Sequence, residues 1–198
     1  LRQHSEPTAV LDLSDLHAQL GTPFAIIIGA DVLSTHALQV DWDHNRVRLL
    51  PSGTSYQPTG TEAPLKTTPD GPFETRISIN GREFDHTAID TGADGDLVLR
   101  NAVLPRLAIA SDRMTDRISQ VIGRMQVEGL FHAGTVQFAG LRFERVATST
   151  ADTAVSGFPQ FDVLVGMGLL ERFNFMIDAP AKRMVVSPRK TPVPDRPS

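Results

Sequence analysis

The chain has 198 residues, 40% of them hydrophobic and 21% charged, with a net charge of −4. That is enough apolar material for one large or two small domains. The mildly acidic balance leaves no basic excess to hold a phosphate backbone, so nucleic acid is not an expected partner. The absence of cysteine removes disulfides, thiol catalysis and Cys-based zinc sites, and is compatible with an oxidising compartment. The longest apolar run, Phe24–Ile28, is strand-sized and falls far short of the roughly 18 residues of a membrane span.

In chain order, Val10–Leu13 and Phe24–Ile28 read as strands, separated by Ser14–Leu20 as a short helix or turn that ends at Gly21. Asp31–His36 reads as a short helix. Leu38–Trp42 and Arg46–Leu50 read as a hairpin turned over residues 43–45. Residues 54–71 are rich in turn and breaker residues without periodicity, which predicts a linker. Phe73–Ile79 alternates as a strand, and Asn80-Gly81 is a strong hairpin signal leading to a strand over Phe84–Ile89. Leu97–Leu99 is a further strand, and Asn101–Leu107 a short helix interrupted by Pro105. Ser119–Leu130, Ala133–Phe138 and Leu141–Thr148 read as strands, the first as a hairpin. From Ser187 onward, with prolines at 188, 192, 194 and 197, an extended and loosely held tail is expected.

An internal repeat sets the expected organisation. At a constant offset of 137, residues 24–51 align without a gap on 161–188. Phe24/Phe161, Gly29/Gly166, Leu33/Leu170, Asp41/Asp178, Arg46/Arg183 and Pro51/Pro188 are identical. Ile28/Val165, Leu38/Phe175, Val40/Ile177, Val47/Met184 and Leu49/Val186 keep apolar character. Asp41 and Asp178, at matched points, are expected to fix the hairpins that follow them.

Between the two copies, Ile89 leads into Asp90-Thr91-Gly92-Ala93 and then into a second apolar strand. This turn, followed by Val163-Leu-Val-Gly166, a short helix and the Ile177-Asp178 strand, resembles the retropepsin-like aspartic proteases over residues 72–190. The resemblance implies an all-β fold, mainly strands with short helices: one complete retropepsin-like acid protease barrel, preceded by the C-terminal part of a homologous lobe. The expected domains are 1–53 as the end of the first lobe, 54–71 as the linker, 72–190 as the complete lobe and 191–198 as a tail. The offset places the first lobe's own catalytic turn ahead of Leu1, so the expectation is a chain that begins inside a longer protein. The alternative is a first lobe that has lost half of its pattern.

The resemblance makes Asp90 a catalytic carboxylate, Thr91 a hydroxyl that bonds across to a partner turn, and Gly92 a site of close backbone approach. Ala93, Asp94, Gly166 and a flap tip at Ile122-Gly123 are the implied substrate-binding positions, the flap needing an apolar contact and a flexible residue to close. Asp96 is either a further substrate contact or a solvated loop carboxylate. Ala93 brings no hydroxyl beside the carboxylate, which implies activity at mildly acidic to near-neutral pH. Met167-Gly168 departs from the retroviral pattern and points toward bacterial periplasmic two-lobed relatives, and so to a periplasmic or secreted setting with the cytoplasm as the alternative.

The function implied is an aspartic endopeptidase acting on protein or peptide, without metal or other cofactor. Its second Asp would come from a preceding lobe or from a second chain, as a homodimer. A catalytically inactive peptide-binding or dimerisation module is the other reading. The intact Asp-Thr-Gly favours the enzyme, because a binding module has no need of that Asp. The six histidines form no metal-ligand spacing. Gly166-Met-Gly168 lacks the third glycine and the long helix of a dinucleotide loop.

Overall fold

The computed structural model describes residues 28–55, 60–67, 73–107, 109, 114–121, 124–151, 161–191 and 193. The early segments Val10–Leu13 and Ser14–Leu20, most of Phe24–Ile28, and the flap tip Ile122-Gly123 lie outside them. More than half of the described residues are in strands, with short helices only, as the sequence implies.

The barrel comes from the middle of the chain. Its strands are β4 (Phe73–Ile79), β5 (Arg82–Ile89), β6 (Leu97–Arg100), β8 (Arg124–Phe138), β9 (Leu141–Ala151) and β10 (Val163–Val165). They run in the order β4-β5-β10-β6-β9-β8, and pairing of β4 with β8 closes the ring. Closure leaves no free edge among these six strands. Alternating residues such as Ile77, Ile79, Phe84, Leu97, Leu99, Val136, Phe138, Val146, Val163 and Val165 point into one continuous core. Asn80 and Gly81 both take left-handed backbone at the β4–β5 turn, the conformation that Asn-Gly supplies at least cost. β7 (Thr115–Val121) pairs with β8 up to Val121 opposite Arg124, and stands outside the ring. The strand after the hairpin is not separate from it: β8 runs unbroken through Gly129 and Gly134. Both glycines sit where a Cβ would press on neighbours, Gly129 on Thr150 and Gly134 on the Asn80 amide oxygen.

The second sheet is where the repeat becomes physical. The first copy forms α1 (Ala30–Leu33), β1 (His36–Asp41) and β2 (Arg46–Pro51); the second forms α2 (Met167–Leu170), β11 (Phe173–Asp178) and β12 (Arg183–Pro188). Every boundary matches at the offset of 137. β1 lies antiparallel to β11 with Gln39 opposite Met176, two residues that are equivalents of each other. Leu38 faces Ile177 and Val40 faces Phe175, so the two copies are related by a local twofold through that pair. The first copy is therefore docked on the second lobe through a shared sheet.

The sheet order is β2-β1-β11-β12-β3, where β3 is Thr61–Pro64. The stretch 54–71, expected as a linker without periodicity, thus contains a strand. β3 pairs with β12, Ala63 and Leu65 are buried, and Gly60 comes so close to the Val186 carbonyl that no side chain would fit. The free edge of β12, not any pattern in the linker, makes this stretch a strand.

Asp41 and Asp178 behave as matched residues should. Asp41 accepts the amide of His44 through Oδ1, and Asp178 accepts the amide of Ala181, three residues on in each case. Asp178 goes further. It is fully buried, takes the Ser52 hydroxyl (2.6 Å) and the Gly53 amide (2.9 Å) from the first copy, and lies 3.6 Å from Arg183. The exchange is returned by the segment just after the second copy, whose Lys190 and Thr191 amides donate to Asp43. The expected loose tail is thus tied down as far as Thr191. Burial alone would raise the Asp178 pKa, but the Ser52, Gly53 and Ala181 hydrogen bonds and the Arg183 charge together hold it below the ordinary carboxylate value.

Candidate active site

Asp90 follows β5 directly, and the loop 90–96 carries the chain from β5 to β6. These two strands do not pair with each other. β10 lies between them, parallel to β5 with Val165 opposite Ile89 and antiparallel to β6 with Val165 opposite Leu97. The Asp90 amide donates to the Val165 carbonyl at 2.9 Å, so the carboxylate is carried at the end of a buried three-strand unit.

The loop is braced from below by the segment that starts α2. The amides of Gly166, Met167 and Gly168 donate to the carbonyls of Asp96 (3.1 Å), Ala93 (2.7 Å) and Gly95 (3.0 Å). A helix start leaves its first amides without intrahelical partners; here the loop carbonyls take them. Both glycines are needed for this contact. A Cβ on Gly166 would fall 2.9 Å from the Ala93 oxygen and nearer still to that of Gly95. On Gly168 it would fall 2.9 Å from the Asp96 amide and nearer still to the Asp96 carboxylate. The Gly168 of that departure is thus accounted for by packing. Gly166→Ala is expected to force the 93–95 backbone outward and cost about 1–3 kcal/mol, as overpacking of a filled site does. Chemical denaturation of wild type and variant measures it.

Within the loop, the Asp90 carboxylate is half-buried and its Oδ1 accepts the Gly92 amide at 2.8 Å. Thr91, Gly92 and Asp94 are exposed, and Ala93 is half-buried. Asp90 to Asp94 are therefore brought together on one exposed turn, whereas Gly166 lies buried beneath it as a support. Ile122 and Gly123, outside the described residues, are not placed relative to the turn.

Asp96 is neither a substrate contact nor a solvated loop carboxylate. It is buried, forms an ion pair with Arg172 just after α2, and accepts the Ala147 amide of β9 at 3.2 Å. Arg172 also donates to the Gly168 carbonyl at 3.3 Å. This brace ties the loop exit, the helix and the barrel wall together. Sequence reasoning missed it because its partners stand 76 positions apart with no periodic relation.

Among the described residues, no group of three or more His, Asp or Glu side chains is gathered as a metal site, and no helix is long and apolar enough to cross a membrane. The turn offers instead the half-buried Asp90 carboxylate, the exposed Asp94 carboxylate and Thr91 hydroxyl, and a backbone braced by hydrogen bonds. No family model matches the sequence, and no curated protein matches it. Among solved structures, a retropepsin-like aspartic protease from Rickettsia conorii is similar at 19% identity and a TM-score of 0.49, over 67% of this chain and 95% of that one.

Proposed function

We propose that the chain supplies one catalytic carboxylate, Asp90, of an aspartic endopeptidase, the second being supplied by a preceding lobe or by a second chain. The observation that carries this reading is the placement of Asp90. A carboxylate stands at the exposed head of a turn whose backbone is pinned on both sides, with an exposed Thr hydroxyl next to it. Rigid support of an accessible acid is what catalysis by positioning requires. A turn Asp with only a structural role has no need of such bracing.

Two such carboxylates about 3 Å apart cannot both ionise and share one proton. The ionised member takes a proton from the water between them. The resulting hydroxide equivalent adds to the scissile carbonyl carbon, while the protonated member donates to the carbonyl oxygen. Collapse of the tetrahedral species breaks the C–N bond, and the amine leaves with a proton from the pair. No covalent enzyme intermediate forms. Thr91 is assigned to the hydrogen bond with the partner turn. Ala93 and Asp94 are assigned to the substrate beside the carboxylate; the flap role expected of Ile122 and Gly123 falls on residues outside the described ones.

The experiment is cleavage of a mixed peptide pool by the protein isolated from the cells that make it, with wild-type Asp90 and with Asp90→Asn. Peptide-bond cleavage that vanishes in the variant supports the reading, and cleavage that persists removes Asp90 from it.

A further inference from the structure

The two copies of the repeat end their short helices in the same way. The Thr35 amide donates to the Val32 carbonyl at 3.2 Å after α1, and the Arg172 amide donates to the Leu169 carbonyl at 3.1 Å after α2. At the offset of 137, Arg172 corresponds to Thr35 and Gly168 to Asp31. The backbone ending therefore requires neither an arginine nor a glycine. Yet both of these departures in the second copy meet one partner. A Cβ on Gly168 would strike the Asp96 carboxylate, and the Arg172 guanidinium is ion-paired with it. Asp96 is the last residue of the Asp90 loop before β6.

The pair closes a circuit. α2 is a single turn whose N-cap, Gly166, has no side chain to cap it, and so short a helix has little stability of its own. The amides of Gly166, Met167 and Gly168 hold the loop carbonyls of Asp96, Ala93 and Gly95. Arg172 returns the grip, donating through Nη2 to Asp96 Oδ2 and through Nε to the Gly168 carbonyl at 3.3 Å. Asp96 Oδ2 also accepts the Ala147 amide at 3.2 Å, which fastens the circuit to β9. The Asp96 side chain is 6% exposed, so the pair escapes most of the solvent screening that weakens surface ion pairs.

We propose that Arg172 and Asp96 are positioning residues for Asp90, acting through the 93–95 backbone rather than by touching a substrate. Gly92 and Gly95 give the loop no stiffness of its own. Held at 93–96, the turn fixes the Gly92 amide that Asp90 Oδ1 accepts at 2.8 Å, and with it the carboxylate. Released, amide and carboxylate move together, and a displacement of about 1 Å costs on the order of 100-fold in a positioned reaction. The effect on turnover rests on the proposed function, whereas the hold on the turn does not.

Arg172→Lys keeps a positive charge beside buried Asp96, and so the fold, but an ammonium does not reproduce the two directed bonds of the guanidinium. Asp96→Asn keeps an acceptor for the Ala147 amide and loses the ion pair. Arg142→Lys, in the exposed Arg142–Glu144 pair of the barrel, is the control. Each is made in the protein isolated from its source cells and compared by peptide-cleavage kinetics and by residue-resolved amide hydrogen exchange. kcat should fall by about 10-fold in Arg172→Lys and about 100-fold in Asp96→Asn, with KM changed by no more than about 2-fold. Exchange at Gly92, Met167 and Gly168 should quicken by at least about 10-fold, while the β4 and β8 amides stay as in the wild type. Arg142→Lys should change neither. Unaltered exchange at those three amides overturns the inference whatever the activity, as does a rise spread equally over the barrel. Faster exchange with an unaltered kcat overturns it as well, leaving the pair a purely structural brace. Absence of cleavage by the wild type would fall on the proposed function, and the exchange result would still support or overturn the hold on the turn.

Discussion

Asp90→Asn is expected to reduce peptide hydrolysis by at least about 1,000-fold, the scale that a positioned proton-transfer group contributes, while leaving the fold in place. Asn is nearly isosteric, and its amide oxygen can still accept the Gly92 amide that Asp90 Oδ1 accepts at 2.8 Å. The Asp90 backbone bond to Val165 does not involve the side chain. Stability should therefore change by no more than about 1 kcal/mol, as for a half-exposed site that keeps its partner. What Asn cannot do is receive a proton from water and return it to a leaving amine. Initial cleavage rates together with denaturation midpoints separate the two effects. A variant that is inactive because it is unfolded would show itself in the second measurement.

The largest stability loss is expected at Asp178. Its carboxylate is fully buried and joins both copies of the repeat through Ser52, Gly53, Ala181 and Arg183. Asp178→Ala leaves those donors without their acceptor and Arg183 without its counter-charge, which costs about 3–5 kcal/mol for a buried pair. The loss should depend on pH. Because the folded-state pKa of Asp178 is depressed, its contribution is complete above the unfolded value of about 4 and disappears as pH falls through the folded value. Wild type and variant should thus differ most near neutral pH and converge in acid. Denaturant titrations from neutral to strongly acidic pH test this, and a pH-independent difference would remove the carboxylate's charge from the explanation.

The parts legible in the sequence were those encoded locally or by repetition. The Asp90 turn was readable because strand, Asp-Thr-Gly and strand follow one another within a dozen residues. The pairing of β1 with β11 was foreshadowed by the offset of 137, since two copies of one hairpin with matched apolar faces can share a sheet. β3 was not readable. Thr61-Glu-Ala-Pro64 has one buried side chain and lies among breakers, and only the exposed edge of β12 gives it a partner. The expected break between Leu130 and Ala133 is not there: β8 runs through Phe131 and His132, and the barrel uses Gly129 and Gly134 within it for close approach. The Asp96–Arg172 brace and the grip of Asp43 on Lys190 and Thr191 join distant residues, and no local pattern announces either.

The central claim is that Asp90 belongs to a carboxylate pair arranged around a tetrahedral centre, and a binding measurement addresses it without a known substrate. A peptide mimic carrying a secondary hydroxyl in place of the scissile carbonyl offers the oxygen such a pair is built to hold, and transition-state analogues bind at least about 100-fold more tightly than substrates. Calorimetry on the protein isolated from its source cells should show one mimic bound per carboxylate pair. The affinity should fall by about 100-fold or more in Asp90→Asn and when the hydroxyl is omitted. Equal affinity for the mimic with and without its hydroxyl, or undiminished binding by Asp90→Asn, would contradict the account.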